Sequence, residues 1–302
     1  MKSDSRRFLD PDVLDEIEGL DLKARLIVEG YVSGLHRSPY RGFSVEFAEH
    51  REYVPGDDIR FLDWKVFGRS DRLYVKRFED ETNLETILLV DVSESMTYHG
   101  QGARWSKLDY AKWGAAALAY LVTQQQDAVG LCLFDDHVRT TIPTGSNPVH
   151  LKTLLAALDS VEPVRGTSTS KALREVAESL RRRGLVVLFS DLMEDPLAIA
   201  EGLKQIRNRG HDMIVFHVLD HDERTFPFDR ATRFVGLEGM PEVTADPEAL
   251  RRAYLEELAG FERAVRRSCL ANRIDFVPMD TRESLGTALA AYLAHRDARR
   301  RR

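Results

Sequence analysis

Three oxygen-bearing side chains follow a short apolar segment in the first third of the chain. Residues 87–90 read Ile-Leu-Leu-Val, and a segment without a polar face is typical of a buried strand. Asp91, Ser93 and Ser95 come directly after it, in the pattern D-x-S-x-S. Alternate residues of an extended segment point the same way, so one carboxylate and two hydroxyls can be directed at one point. The same residue types are common in turns and at helix N-caps, so this pattern alone leaves both interpretations open.

A divalent cation is the ligand that such a set of side chains would hold. Oxygen-only ligands favour Mg²⁺, with Mn²⁺ or Ca²⁺ as alternatives, whereas zinc prefers nitrogen and sulfur ligands. A second apolar segment, 185–189, ends in a similar way, with Ser190 and Asp191. Two carboxylates that lie close together repel each other unless a proton or a cation lies between them. The pair Asp91 and Asp191 would therefore be a stronger cation site than either residue alone.

The segments around these two strands alternate between strand and helix patterns. The predicted strands are 87–90, 127–134, 138–142, 185–189, 213–219 and 274–277, of which 138–142 alternates apolar with polar residues and should be an antiparallel edge. Helix N-caps are predicted at Ser106, Asn147, Asp195 and Asp246, and a final helix at 283–295. We therefore expect an α/β fold with a doubly wound, mostly parallel six-stranded sheet and helices on both faces.

The predicted topology gives these oxygen-bearing residues a common location. Ligands of doubly wound sheets bind beyond the carboxyl ends of the strands, where the strand order reverses. If the strands that end in Asp91 and Asp191 are neighbours at that point, their carboxylates lie side by side. Thr167 belongs to a loop on the same edge and offers a further hydroxyl. The predicted metal ligands are Asp91, Ser93, Ser95, Thr167 and Asp191.

The first 83 residues have a different pattern. Residues 8–35 predict a helix, and the segments 43–53 and 73–78 partly alternate apolar with charged residues, as half-exposed strands do. Residues 221–245 have no clear pattern and receive no assignment. The expected organisation is an N-terminal helix and small β appendage in residues 1–83, a main domain in residues 84–296, and a basic tail in residues 297–302.

Composition excludes several classes of function. A chain of 302 residues with 43% hydrophobic residues is long enough for a substantial core. Its formal net charge of −6 argues against nucleic acid as the main partner. We expect no membrane insertion and a cytoplasmic location, because the sequence has neither an apolar segment of about 20 residues nor the apolar core of a signal peptide. Cys132 and Cys269 lie in apolar patterns typical of buried small hydrophobic residues.

The pattern of oxygen ligands resembles a von Willebrand factor type A domain with its metal-ion-dependent adhesion site, over about residues 84–296. In this resemblance Asp91, Ser93 and Ser95 match the first motif of the site. Thr167 matches its threonine, and Asp191 its final aspartate. The strand order of that family, 3-2-1-4-5-6, would place the strands of the two aspartates side by side.

A narrower resemblance covers nearly the whole chain. The segments REYVPGDDIRFLDW, LYVKRFEDE and LLVDVSESM are similar to those of the bacterial family called domain of unknown function 58, or DUF58. Proteins of this family are typically found in the company of MoxR-type AAA+ ATPases. The resemblance therefore implies an adaptor or co-chaperone that works with such an ATPase.

Three functions remain open at this point. The first is a binding module that uses the cation to bind an Asp or Glu of a partner protein, either the ATPase or its client. The second is a metal-assisted phosphoester hydrolase, although no D-x-D nucleophile pair, glycine-rich phosphate loop or paired general base lies near the D-x-S-x-S motif. The third is a metal-independent adaptor that uses the segment 51–64, where Asp57, Asp58 and Asp63 surround Arg60. We expect the first, and therefore no enzymatic activity.

Overall fold

The computed structural model describes residues 19–35, 50–52, 74–76, 85–100, 105–163, 168–230, 232–234, 243–245, 247–286, 290–292 and 294. In chain order the helices are α1 (Leu20–Leu35), α2 (Lys107–Gln124), α3 (Pro148–Ser160), α4 (Thr169–Ser179), α5 (Pro196–Asn208), α6 (His221–Thr225) and α7 (Pro247–Ala271). The strands are β1 (His50–Glu52), β2 (Tyr74–Lys76), β3 (Glu85–Asp91), β4 (Ala128–Phe134), β5 (Val138–Gly145), β6 (Leu185–Ser190), β7 (Asp212–Leu219), β8 (Thr232–Phe234), β9 (Val243–Ala245) and β10 (Asp275–Asp280).

The largest sheet has six strands in the order β5-β4-β3-β6-β7-β10. All neighbouring pairs are parallel except β4 and β5, which are antiparallel. Counted along the chain, this order is 3-2-1-4-5-6, and the order reverses between β3 and β6. The predicted doubly wound, mostly parallel sheet with an antiparallel edge strand is confirmed.

Helices cover both faces of this sheet. Residues of one strand alternate between the two faces, so Leu88 and Val90 pack with α1, α2 and α3, whereas Leu89 packs with α4, α5 and α7. The strands are buried on both faces, which explains why β3 and β6 carry almost continuous apolar sequence. The consequence is that polar residues at the strand ends, not within the strands, are available for a binding site.

Local sequence signals account for most helix starts. Ser106 forms the predicted capping box with Asp109 at the start of α2. Asn147 and Asp195 cap α3 and α5, each followed by proline. Helix α4 ends at Ser179, because the chain becomes extended at Leu180.

The chain divides into two compact units, His36–Asn83 and the remainder. In the smaller unit β1 pairs with β2 in an antiparallel arrangement, and these strands lie within the two segments predicted as a β appendage. Helix α1 belongs to the larger unit, where Ala24 and Ile27 are fully buried in the core that also contains α2. The sequence analysis grouped this helix with the appendage, whereas its apolar face packs on the main domain.

The segment without an assignment contains three short elements, α6, β8 and β9, the last two paired antiparallel. Among the described helices, none combines the length and the apolar character needed to cross a lipid bilayer.

The two-sided packing of the sheet makes a stability prediction. Leu118 in α2 is fully buried, whereas Leu270 in α7 is 78% exposed. Leu118→Ala should lower the free energy of unfolding by about 2–5 kcal/mol, because it removes buried apolar volume and leaves a cavity. Urea unfolding measures this difference. Leu270→Ala is the matched control and should change stability by less than about 0.5 kcal/mol; equal effects of the two substitutions would contradict the described core.

Candidate metal centre

Asp91 lies at the carboxyl end of β3, at the point where the strand order reverses. Val90 pairs with Phe189 of β6, so Asp91 lies level with Ser190 of the neighbouring strand. Its side chain is fully buried. The oxygen Oδ1 accepts a hydrogen bond from the Ser93 amide at 3.0 Å, and Oδ2 accepts one from the Ser190 hydroxyl at 2.6 Å. Both of these donors to the buried Asp91 carboxylate, an amide and a hydroxyl, are neutral groups.

The two serines of the D-x-S-x-S pattern lie together beside Asp91. The Oγ atoms of Ser93 and Ser95 are 3.0 Å apart. Their spacing follows from the local backbone: Ser93 is extended, and Ser95 lies in the short 3₁₀ turn Glu94–Thr97. The sequence expectation that these hydroxyls point to one place therefore agrees with their positions.

Asp191 follows β6 directly and is also fully buried. Its backbone oxygen accepts a hydrogen bond from His217 Nε2 at 3.0 Å, and its Oδ1 accepts one from the Met193 amide at 3.2 Å. The next residue, Leu192, is buried and has a φ of 54°, a left-handed conformation that is unfavourable for a residue with a branched side chain. Residues in such strained conformations persist only where the surrounding packing maintains them, and they are concentrated at functional sites.

The two carboxylates influence each other. Burial and, to a smaller extent, the negative charge of Asp191 raise the pKa of Asp91 to about 7, although the hydrogen bonds from Ser190 and Ser93 act in the opposite direction. An ionised Asp91 is therefore costly in the absence of a cation. A positive charge near Asp91 would lower this cost.

The structure adds a buried lysine that the sequence analysis did not consider. Lys107, the first residue of α2, is 1% exposed. Its Nζ lies 2.7 Å from Asp191 Oδ2 and 2.8 Å from Glu223 Oε1. These two carboxylates raise the pKa of Lys107 above its ordinary value although burial acts in the opposite direction, so the ammonium is charged. Asp191 is thus paired with a cation of the protein itself.

Thr167, the fifth predicted ligand, lies outside the described residues. Two residues later, the fully buried Thr169 donates a long hydrogen bond of 3.5 Å to Asp91 Oδ2. The next residue, Ser170, donates from its hydroxyl and its amide to Glu194, which lies in the loop after β6. The start of α4 is therefore attached to both strand ends that form the site.

Several residues of this arrangement were not among the residues predicted from the sequence. Ser190 could have been recognised from the sequence as a site residue, because it immediately precedes Asp191 at the end of a buried strand. Lys107 was visible only as the first residue after a helix N-cap, where lysine has no special meaning. Glu223 belongs to the segment that received no assignment, and its role depends on a contact with a residue 116 positions away.

The donor set fits a hard divalent cation. Asp91 and Ser93 are buried and Ser95 is partly buried, and their carboxylate and hydroxyl oxygens are of the kind that Mg²⁺ prefers. Asp191 also fits, although Lys107 already pairs with one of its oxygens. The ligand atoms that would contact the ion directly are therefore Asp91 and the hydroxyls.

A second group of possible ligands lies after β4. Asp135, Asp136 and His137 have ligand atoms within 4.8 Å of one another. Their oxygens already have partners, because Arg139 Nε lies 2.5 Å from Asp135 Oδ2, and His137 Nδ1 lies 2.5 Å from Asp136 Oδ1. Ion pairing within the protein accounts for this cluster.

The hydroxyl of Ser190 should be important for stability, because it bonds to the buried carboxylate of Asp91. Ser190→Ala should lower the free energy of unfolding by about 1–3 kcal/mol, the usual cost of leaving a buried polar group without its partner. Thermal or urea unfolding measures it. Ser160→Ala, at the exposed end of α3, is the control and should have little effect. Equal stability of the two variants would show that Ser190 does not support Asp91.

Relatives of this chain have been found in several bacteria. It is 29% identical over 222 residues to an uncharacterized protein of Mycobacterium bovis, a match that covers 72% of this chain and 68% of that protein. It is 27% identical over 157 residues to the uncharacterized protein YeaD of Bacillus subtilis, which covers 51% of this chain and 36% of YeaD. These relatives indicate common ancestry and do not indicate an activity.

A solved structure has the same fold as this chain. The crystal structure of the conserved hypothetical protein BatB from Bacteroides thetaiotaomicron superimposes with a TM-score of 0.50 at 19% identity, covering 70% of this chain and 98% of BatB. The SpRpn10 VWA domain matches at 12% identity with a TM-score of 0.38, covering 68% of this chain and 93% of that domain. The sheet has the strand order 3-2-1-4-5-6 that the resemblance to a von Willebrand factor A domain implies, so the predicted von Willebrand factor A-like fold is confirmed.

The family model described as "Protein of unknown function DUF58" matches residues 49–264 of this chain. The residues matched include both strands of the β appendage and both aspartates of the candidate site. The chain therefore belongs to the DUF58 family.

Proposed function

We propose that this protein is a metal-dependent protein-interaction module that binds an acidic side chain of a partner protein. In this proposal Mg²⁺, or alternatively Mn²⁺ or Ca²⁺, is held by Asp91, Ser93 and Ser95. Thr167 is a further ligand in this proposal, and Asp191, which pairs with Lys107, lies beside the ion. The partner is a MoxR-type AAA+ ATPase or a client of that ATPase.

One observation supports the metal site above all others. A fully buried carboxylate, Asp91, lies beside two serine hydroxyls that are 3.0 Å apart, and its hydrogen-bond donors are neutral. Burial and the charge of Asp191 raise the pKa of Asp91, so the ionised form of this carboxyl is unfavourable in the folded protein. A bound cation would compensate its charge.

The residues of the chain have distinct tasks in this proposal. Asp91 supplies the negative charge that attracts the ion, and the neutral hydroxyls of Ser93 and Ser95 complete the ligands without cancelling the ion's charge. When bound, the ion supplies a positive centre with a coordination position for an oxygen from outside. Ser190 and the Ser93 amide hold the Asp91 carboxylate in one orientation. A carboxylate of the partner is the natural anion for such a centre.

The partner and the binding role rest on different grounds. The AAA+ ATPase partner is inferred from the company in which DUF58 proteins are typically found. A binding role rather than a catalytic role is inferred because the sequence offers no catalytic constellation.

Incubation with p-nitrophenyl phosphate and Mg²⁺ tests the absence of catalysis. Turnover of this substrate that Asp191→Ala abolishes would favour the phosphoester hydrolase. Of the segment 51–64, which the third hypothesis takes as the contact surface, residues 53–64 lie outside the described residues.

Calorimetric titration with Mg²⁺ tests the site directly. Asp91→Asn should weaken Mg²⁺ binding at least about tenfold, because it removes the charged ligand while keeping its shape, a loss of about 1.4 kcal/mol or more. Asp136→Asn is the matched control, since Asp136 belongs to the other acidic cluster at the carboxyl edge of the sheet and should not affect binding. Circular dichroism spectra confirm that both variants are folded.

A second titration tests the function. A short peptide with one central glutamate should bind the wild-type protein only in the presence of Mg²⁺, and a peptide with glutamine at that position should not bind. Peptide binding that EDTA leaves unchanged would contradict metal-dependent recognition. Loss of Mg²⁺ binding in Asp136→Asn but not in Asp91→Asn would move the metal site to the cluster after β4.

A further inference from the structure

Lys107 occupies a position that is unfavourable for a lysine on its own. It is 1% exposed, and an ammonium loses much of its hydration when it is buried. It is also the first residue of α2, where the helix dipole disfavours positive charge. A lysine remains buried at such a place only if carboxylates compensate it, and here Asp191 and Glu223 do so at 2.7 Å and 2.8 Å.

Glu223 is fixed in this position by a second contact. Its Oε2 accepts a hydrogen bond from the Asp220 amide at 2.8 Å, as part of the capping box that begins α6. Lys107 therefore connects three elements, namely the start of α2, the end of β6 and the start of α6. The ammonium also lies 5.9 Å from the ring centre of Tyr98, which follows the turn that carries Ser95. Its location is fixed by packing and by two ion pairs.

The charges at the site are distributed unequally. Asp91, Asp191 and Glu223 contribute three negative charges when ionised and Lys107 one positive charge, which leaves a net charge of −2. The single ammonium faces Asp191 and Glu223, whereas the hydrogen bonds to Asp91 come from neutral groups. Among the described residues the two aspartates are thus unequal, because Asp191 pairs with a lysine whereas Asp91 bonds to neutral donors.

We infer that Lys107 sets the affinity of the proposed metal site, because its ammonium engages Asp191 and leaves Asp91 and the hydroxyls to hold the ion. This inference rests on the proposed function. It implies a weakly held, exchangeable ion, since one of the two aspartates is already neutralised and a positive charge lies beside it. It also implies that the Lys107 ion pairs hold the two strand ends together without metal, so the protein should remain folded in EDTA.

A double variant, Lys107→Met with Glu223→Gln, tests the inference. It removes one positive and one negative charge, so the net charge of the site stays at −2, and it leaves neither partner of the ion pair buried alone. Asp191 then becomes available to the ion. Titration with Mg²⁺ alone should show binding at least about tenfold tighter than in the wild type. Because total charge is unchanged, tighter binding would report the release of Asp191.

Two further variants complete the test. Lys112→Met removes a lysine from the same helix whose Nζ donates to the backbone oxygen of Val161, and it should leave Mg²⁺ affinity unchanged. Glu223→Gln alone leaves the ammonium paired with Asp191 only and should weaken Mg²⁺ binding at least about threefold. This single variant provides an answer even if the double variant does not fold.

The outcomes separate this inference from the proposed function. A double variant that binds Mg²⁺ no tighter than the wild type overturns the role of Lys107, as does tighter binding by Glu223→Gln. Tighter Mg²⁺ binding by the double variant without binding of the glutamate peptide supports the role of Lys107 and contradicts the proposed function. Mg²⁺-dependent peptide binding by the wild type with an unchanged double variant gives the opposite conclusion.

Discussion

The adjacency of β3 and β6 is the constraint on which the rest of this site depends. Both strands are buried on both faces, so their polar residues are confined to the ends, and parallel pairing brings these ends to the same edge. Two fully buried aspartates, Asp91 and Asp191, consequently meet at the point where the strand order reverses. Their mutual repulsion is unfavourable, and the surrounding residues reduce it.

The protein compensates the two carboxylates in different ways. Asp191 has a permanent counter-ion in Lys107, which is brought there by the start of α2. Within the described part of the chain the donors to Asp91 are neutral, among them Ser190 and the Ser93 amide, and burial together with Asp191 raises its pKa. This difference links the two proposals: the carboxylate without a cation attracts the metal, and the paired carboxylate limits how tightly the metal is held.

Sequence patterns were sufficient for the sheet and for part of the site. Continuous apolar segments and proline-marked helix starts predicted the six strands and their flanking helices, because burial on both faces leaves a clear pattern. The D-x-S-x-S pattern predicted the proximity of Ser93 and Ser95, because that depends on backbone geometry over five residues. Contacts between distant segments were not predictable in this way. Lys107 and Glu223 are separated by 116 residues, and nothing in either local sequence indicates that they meet.

The location of a bound ion is the most direct test of the central claim, that an incompletely neutralised Asp91 holds a divalent cation. Mn²⁺ has oxygen-ligand preferences close to those of Mg²⁺ and is visible by anomalous X-ray scattering. Crystals grown with Mn²⁺ should show an anomalous peak between the Asp91 carboxylate and the hydroxyls of Ser93 and Ser95. A peak confined to Asp135, Asp136 and His137, or no peak at all at millimolar Mn²⁺, would contradict the account.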